Sequence, residues 1–175
     1  MSEKRIGIYV DSHYFSKIYH HYLSRRSFDI QELILSIREI LSNSLKTDLE
    51  SCITSEIKFY IGAKSFAEKV DLINALKDAG VGIFSLREFV KGEDKGVAVC
   101  LALDAYKSVV ADNYDVLAII CEHPEFIPLV EDVRGELNKD VFLFYWDIGN
   151  TKTAEALINS ATGAFPMHEY YPKIK

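Results

Sequence analysis

Positive charge is the first thing this chain is short of. Twenty Lys and Arg stand against 26 Asp and Glu, a formal charge of −6, which argues against capture of nucleic acid by a broad basic surface. A local basic groove beside acidic groups still fits that balance. Proline and glycine are scarce as well, four and nine residues. No biased tract or internal repeat marks a linker, so residues 1–175 read as one domain, long enough for one sizeable core. No apolar run approaches the roughly 20 residues that span a bilayer. Met1 to Arg5 is polar and leads straight into a strand-like run, so neither a membrane span nor a signal peptide is expected. Paired cysteines are missing too: Cys52, Cys100 and Cys121 are odd in number and form no C-x-x-C pair. Cys100 and Cys121 sit in apolar runs and read as buried, reduced thiols. The expectation is a cytoplasmic enzyme or binding domain. Absence of G-x-G-x-x-G, a P-loop and H-E-x-x-H removes the main support for nucleotide-cofactor and zinc-protease readings.

What is present is a regular alternation. Arg5 to Val10 is an apolar run that predicts a buried strand ending at Asp11, followed by a helix from Ser12 to about Ser24. Ile30, Leu33, Ile34, Ile37 and Leu41 recur at helical spacing behind Asp29, a residue suited to an N-cap. Ile57 to Ile61 predicts the second strand, Ser65 to Ala79 a helix stopped by Gly80, and Val81 to Leu86 the third strand. A helix from Gly96 to about Val110 leads to a fourth strand at Val116 to Ile120. Pro124 suits the first turn of a helix running to about Leu137. Val141 to Tyr145 is a fifth strand, Thr151 to Ala161 a last helix, and Phe165 lies where a sixth strand is added. Strands alternating with helices imply a three-layer α/β/α fold around a mostly parallel sheet of five or six strands.

Open sheets of this kind bind ligands outside the carboxyl ends of their strands, where the strand order reverses. Asp11 follows the first strand, Glu122, His123 and Glu125 the fourth, and Asp147 the fifth. The topology carries these polar groups to one edge. Each also has a plainer role: Asp11 as an N-cap, Glu125 facing a helix dipole, Asp147 in a solvated turn. Tyr14, Tyr19, Tyr22, His20 and His21 on the first helix make a potential base-stacking surface, open between that use and plain half-buried packing of Tyr19 or Tyr22. Arg87, Lys91 and Lys95 form either a phosphate-contacting rim or an ordinary charged face, and the same holds for Arg25 and Arg26.

Certain blocks carry a resemblance. Lys95-Gly96-Val97-Ala98-Val99 leads to Leu101-Ala102-Leu103-Asp104-Ala105, then Asp115-Val116-Leu117 and Phe126-Ile127-Pro128-Leu129-Val130. With Ile8-Tyr9-Val10-Asp11 at the front, their order and spacing from Ile6 to Phe165 resemble the NYN domain (LabA/DUF88-like) group. The resemblance implies a PIN-like, Rossmann-like fold and, for active members, RNA cleavage at Mg²⁺ or Mn²⁺. There a metal-bound water attacks and the ion stabilises the developing phosphate charge. Against the family's frame, Tyr14 fills an Asn position, Ala98 and His123 fill acid positions, and Ala161-Thr162 replaces an Ala-Asp pair. Asp11 and Glu125 are retained as catalytic and metal-binding candidates, His123 as a catalytic one, and Asp104, Asp147 and Asp94 as supporting acids. Each lost carboxylate forfeits roughly 4 kcal/mol at 4 Å and an effective dielectric of about 20, before desolvation. The expectation is therefore an RNA-associated protein related to metal-dependent endoribonucleases, weakly active or inactive, with Mg²⁺ or Mn²⁺ only at a weak site. The rivals are an active ribonuclease with a rearranged site at Asp11, His123 and Glu125, which suits Mn²⁺, Fe²⁺ or Zn²⁺, or a non-catalytic interaction module with a homodimer or protein partner.

Overall fold

The strand Lys4–Asp11 (β1) is apolar on both faces because helices cover both sides of it, leaving Ile6 to Asp11 buried. Around β1 the computed structural model, which describes residues 3–23, 29–62, 70–78, 81–86, 96–147 and 152–171, builds a six-stranded sheet. Its other strands are Cys52–Gly62 (β2), Gly82–Leu86 (β3), Val116–Ile120 (β4), Asp140–Tyr145 (β5) and Gly163–Pro166 (β6). The order is β3-β2-β1-β4-β5-β6, and every pairing is parallel. The chain winds outward from β1 to β3, returns beside β1 as β4, and winds outward the other way. The order therefore reverses between β1 and β4.

Helices Ser12–Ile18 (α1), Ile30–Leu45 (α2) and Val70–Asp78 (α3) cover one face. Helices Val97–Val110 (α4), Ile127–Gly135 (α5) and Glu155–Ser160 (α6) cover the other. Strand alternation divides the core accordingly. Ile6, Ile8 and Val10 pack under α1 and α2, while Tyr9, Leu117 and Ile119 pack under α4 and α5. The three-layer α/β/α architecture is the one the alternating pattern predicts, with the sixth strand in place.

Local chemistry explains the boundaries. Asp29 caps α2 by accepting the Gln31 N–H at 2.8 Å, and Lys46 ends it in the left-handed region at φ 52°. Gly96 opens α4 at φ 90°, a conformation that favours glycine. Gly7 is required for a different reason: a Cβ there would lie 2.6 Å from the ring of Tyr114.

Some boundaries differ from expectation. β2 begins five residues earlier than Ile57, because Cys52 to Glu56, with Ile53 and Ser55 facing outward, already pairs with β1. The helix expected from Pro124 is a 3₁₀ turn, Pro124–Phe126, before α5 proper begins. α6 is shorter than the predicted Thr151 to Ala161. After α1 the chain continues as a π turn, Tyr19–Leu23. The starting residues of the helix predicted from Ser65, together with Gly80, lie outside the described residues. Cys52 and Cys121 are buried and Cys100 is half-buried rather than buried; all three are free thiols. No helix among the described residues is long and apolar enough to cross a membrane.

Candidate functional site

Strand register brings the two halves of the reversal point together. Val10 of β1 lies opposite Ile120 of β4, which sets the next residues, Asp11 at the end of β1 and Cys121 just past β4, side by side. Asp11 is 4% exposed. Its Oδ1 accepts the backbone N–H of His13 at 2.9 Å and of Tyr14 at 3.4 Å, which caps α1 at its first turn. Burial pushes the Asp11 carboxyl above its ordinary range, against those two N–H groups and nearby His123 and His13. The N-cap role open to Asp11 from the sequence is thus realised, at the edge where ligands are expected.

Glu122 follows Cys121 and is also buried. Its Oε1 pairs with Lys17 Nζ at 2.6 Å, and His123 Nε2 lies 3.6 Å from the same oxygen. Lys17 reaches this point because helical side chains lean toward the helix N-terminus, which carries its ammonium back from the second turn of α1 to the sheet edge. The Glu122 side chain is 7% exposed and that of Lys17 43%, so a desolvated carboxylate is neutralised from the solvent side. The Cys121 thiol between these acids is pushed well above its ordinary pKa by burial and by Asp11 and Glu122; it stays protonated and inert.

Tyr14 fills the space beside this pair. It is fully buried, and its hydroxyl donates to the Trp146 carbonyl at 2.8 Å and accepts the Trp146 N–H at 2.7 Å. The side chain of α1 therefore bridges past the end of β4 to the end of β5. Ser12 donates to the Tyr60 carbonyl, fastening the same turn to β2. Tyr14 is a structural bridge and not part of an exposed stacking surface. Tyr19 packs partly against the core, while His20 and His21 are exposed.

The remaining candidates are spread out. Glu125 is exposed in the 3₁₀ turn after β4, and His123 is half-buried just before it. Asp147 is half-buried one residue past Trp146. Asp104 lies on α4, where its Oδ2 accepts the Tyr60 hydroxyl at 3.0 Å. That bond belongs to a polar layer beneath α4 that includes Tyr9, bonded to Ser108 at 3.0 Å. Ala98 is in the first turn of α4. Thr162 is at the other end of the sheet: its hydroxyl accepts the Val141 N–H at 3.0 Å, where β5 begins. An acid at position 162 would stand roughly a strand's length, about 15–20 Å, from the carboxyl edge. Its replacement by threonine therefore does not deplete that edge. Asp94, Lys95, Lys91 and Arg87 lie outside the described residues.

A divalent cation of the Mg²⁺ or Mn²⁺ type needs several oxygen ligands converging on one point. Among the described residues, no three His, Cys, Asp or Glu side chains form such a group. One Asp11 oxygen is engaged by α1, and Glu122 faces an ammonium. The described side chains therefore do not fit the carboxylate cluster of a metal-dependent nuclease. Glu122 is at the edge where its position after the fourth strand put it; Lys17, its partner, is the residue the sequence did not single out. The available signal was positional: Glu122 follows β4 by two residues, and Lys17 lies six residues after Asp11.

Residues 5–168 match the NYN domain family. A solved structure of a protein of unknown function from Vibrio parahaemolyticus is similar at a TM-score of 0.67 and 20% identity, over 94% of this chain and 93% of that one. That likeness concerns the fold. No curated protein matches the chain. The chain belongs to the NYN domain family, within the PIN-like group associated with RNA.

Proposed function

We propose that this NYN-domain protein associates with RNA through the β1–β4 carboxyl edge and cleaves it weakly or not at all. The observation that carries the reading is that both buried carboxylates at the edge are already committed to protein partners, Asp11 to the backbone of α1 and Glu122 to Lys17. A metal ion in such a site would activate water and stabilise phosphate charge, and Asp11, His123 and Glu125 are the residues left to hold one. A site built from these three would be weak, with fewer carboxylates than a hard cation prefers. Exposed His13, with the outer part of Lys17, would supply polar and aromatic contacts for a single strand at this edge. Three free thiols suit a reducing, cytoplasmic setting.

The test is cleavage of single-stranded and structured RNA with Mg²⁺ and with Mn²⁺, using Asp11→Ala as the control, beside an RNA-binding titration over a range of salt. Salt-dependent binding with intact RNA is expected. Rapid cleavage abolished by Asp11→Ala would instead identify an active ribonuclease with a rearranged site, and absence of binding would leave an interaction module.

A further inference from the structure

We propose that the outer face of α4 is a docking surface for a second copy of this chain, held antiparallel about a two-fold axis.

α4 turns Val97, Leu101, Ala105 and Val109 to the core. The opposite side of such a helix is ordinarily polar, and here it is not. Val99, Leu103 and Val110 are 60%, 52% and 56% exposed, with half-buried Tyr106 among them. Helical residues three and four apart are neighbours, so these four form one stripe. Apolar side chains scattered singly over a surface need no explanation, whereas a continuous stripe along a helix marks a contact.

The spacing selects the occupant. Val99, Leu103, Tyr106 and Val110 stand four, three and four residues apart, a pattern that reads the same in both directions. Laid antiparallel on a second copy, Val99 meets Val110 and Leu103 meets Tyr106, alike at both ends. An isologous two-fold interface requires this self-complementarity, and the alternation of three and four is that of a helix-pair seam. Charge agrees with the arrangement. Exposed Lys107 and half-buried Asp104 lie on the same flank of the stripe. An antiparallel two-fold sets like flanks together, so Lys107 of each copy comes beside Asp104 of the other. Asp104 gives Oδ2 to the Tyr60 hydroxyl at 3.0 Å, and the lysine takes its other oxygen. A parallel pair would set that flank against Ala98 and Ala102, with no opposite charge to meet.

Area sets the strength. α4 has 14 residues, and a helix of that length is about 21 Å long and about 10–12 Å across. One such face covers less than the about 800 Å² per partner of a standard interface, so the dimer is weak, in the micromolar range. The surface is independent of the RNA reading, because α4 and α1 lie on opposite faces of the sheet.

The test is sedimentation velocity of the full chain from low micromolar to near-millimolar concentration, with circular dichroism to show that each variant is folded. The parent should pass from monomer to dimer across that range. Leu103→Glu should weaken the dimer at least tenfold, and Lys107→Glu, which sets a second acid beside Asp104, should weaken it as well. Orientation is read by copper–phenanthroline oxidation, against the parent's background from Cys100. Val99→Cys mixed with Val110→Cys should give a disulfide-linked dimer. Val99→Cys alone should not, because antiparallel pairing leaves its two copies about 16 Å apart, beyond the reach of a disulfide. A parent that stays monomeric overturns the proposal and leaves the stripe to a different protein. A dimer that Leu103→Glu leaves unchanged overturns it too, as does cross-linking of Val99→Cys alone with none in the mixture. Should Leu103→Glu not fold, the cross-linking decides.

Discussion

The hydroxyl of Tyr14 sits between the two backbone groups of Trp146, accepting from the N–H at 2.7 Å and donating to the carbonyl at 2.8 Å. One phenol thus replaces the solvent that the end of β5 would otherwise require. It also fixes α1, and with it Asp11 and Lys17, relative to the end of β5. Tyr14→Phe removes both bonds while leaving the ring, so two buried backbone groups lose their partner. The expected cost is about 2–3 kcal/mol, read as a lower urea midpoint at an unchanged slope.

Asp11 combines a stabilising cap with a destabilising burial. Asp11→Asn keeps an oxygen for the His13 N–H and removes the charge that burial penalises. Its thermal midpoint at neutral pH should equal or exceed the parent's. Asp11→Ala loses the cap and should be less stable than Asp11→Asn by about 1 kcal/mol. A carboxylate kept where the amide is at least as stable is the pattern of a functional group.

The fold depends on a close approach at Gly7. A methyl group there meets the Tyr114 ring at 2.6 Å, and that ring is buried against Tyr9, with ring centroids 6.1 Å apart. Gly7→Ala should destabilise by about 1–3 kcal/mol in chemical denaturation. Pairing it with Tyr114→Leu should recover part of the loss.

At the opposite edge of the sheet, Asp115 receives the Arg5 side chain at 3.0 and 3.1 Å and the Arg5 backbone N–H at 2.9 Å. These bonds hold its pKa down at about 2, from an ordinary 3.8. The unfolded chain binds the proton more readily, so this contribution is fully present above about pH 4 and is lost as pH falls toward 2. Asp115→Asn should therefore lower the urea midpoint at pH 7 and have little effect at pH 2. An equal effect at both would contradict the assignment.

The layers and the strand order at the edge were legible because β1 and β4 are nearly pure apolar runs, and a buried parallel strand has no other signature. The start of β2 was not, since Thr54 to Glu56 reads as a polar loop until Lys4 pairs with Cys52. Asp11 could be placed from its position at a strand end. The pairing of Glu122 could not, because Lys17 looks like any surface lysine until α1 brings its ammonium to 2.6 Å from that carboxylate. Tyr14 stayed open for a similar reason: tyrosine serves both as a stacking surface and as a buried beam, and only the fold brings Trp146 to its hydroxyl. Thr162 aligned with a lost acid in the motif frame, yet it belongs to the far edge of the sheet.

The central claim, that the β1–β4 carboxyl edge faces RNA without cutting it, is tested most directly by amide chemical-shift mapping. A short single-stranded RNA would be titrated into the labelled protein in Mg²⁺ buffer, with RNA integrity checked afterwards. The account predicts shifts clustered at His13, Lys17 and His123, none at Asp112 or Lys139, and full-length RNA at the end. Shifts centred on the Arg5–Asp115 edge, no shifts at all, or rapid loss of the RNA would contradict it.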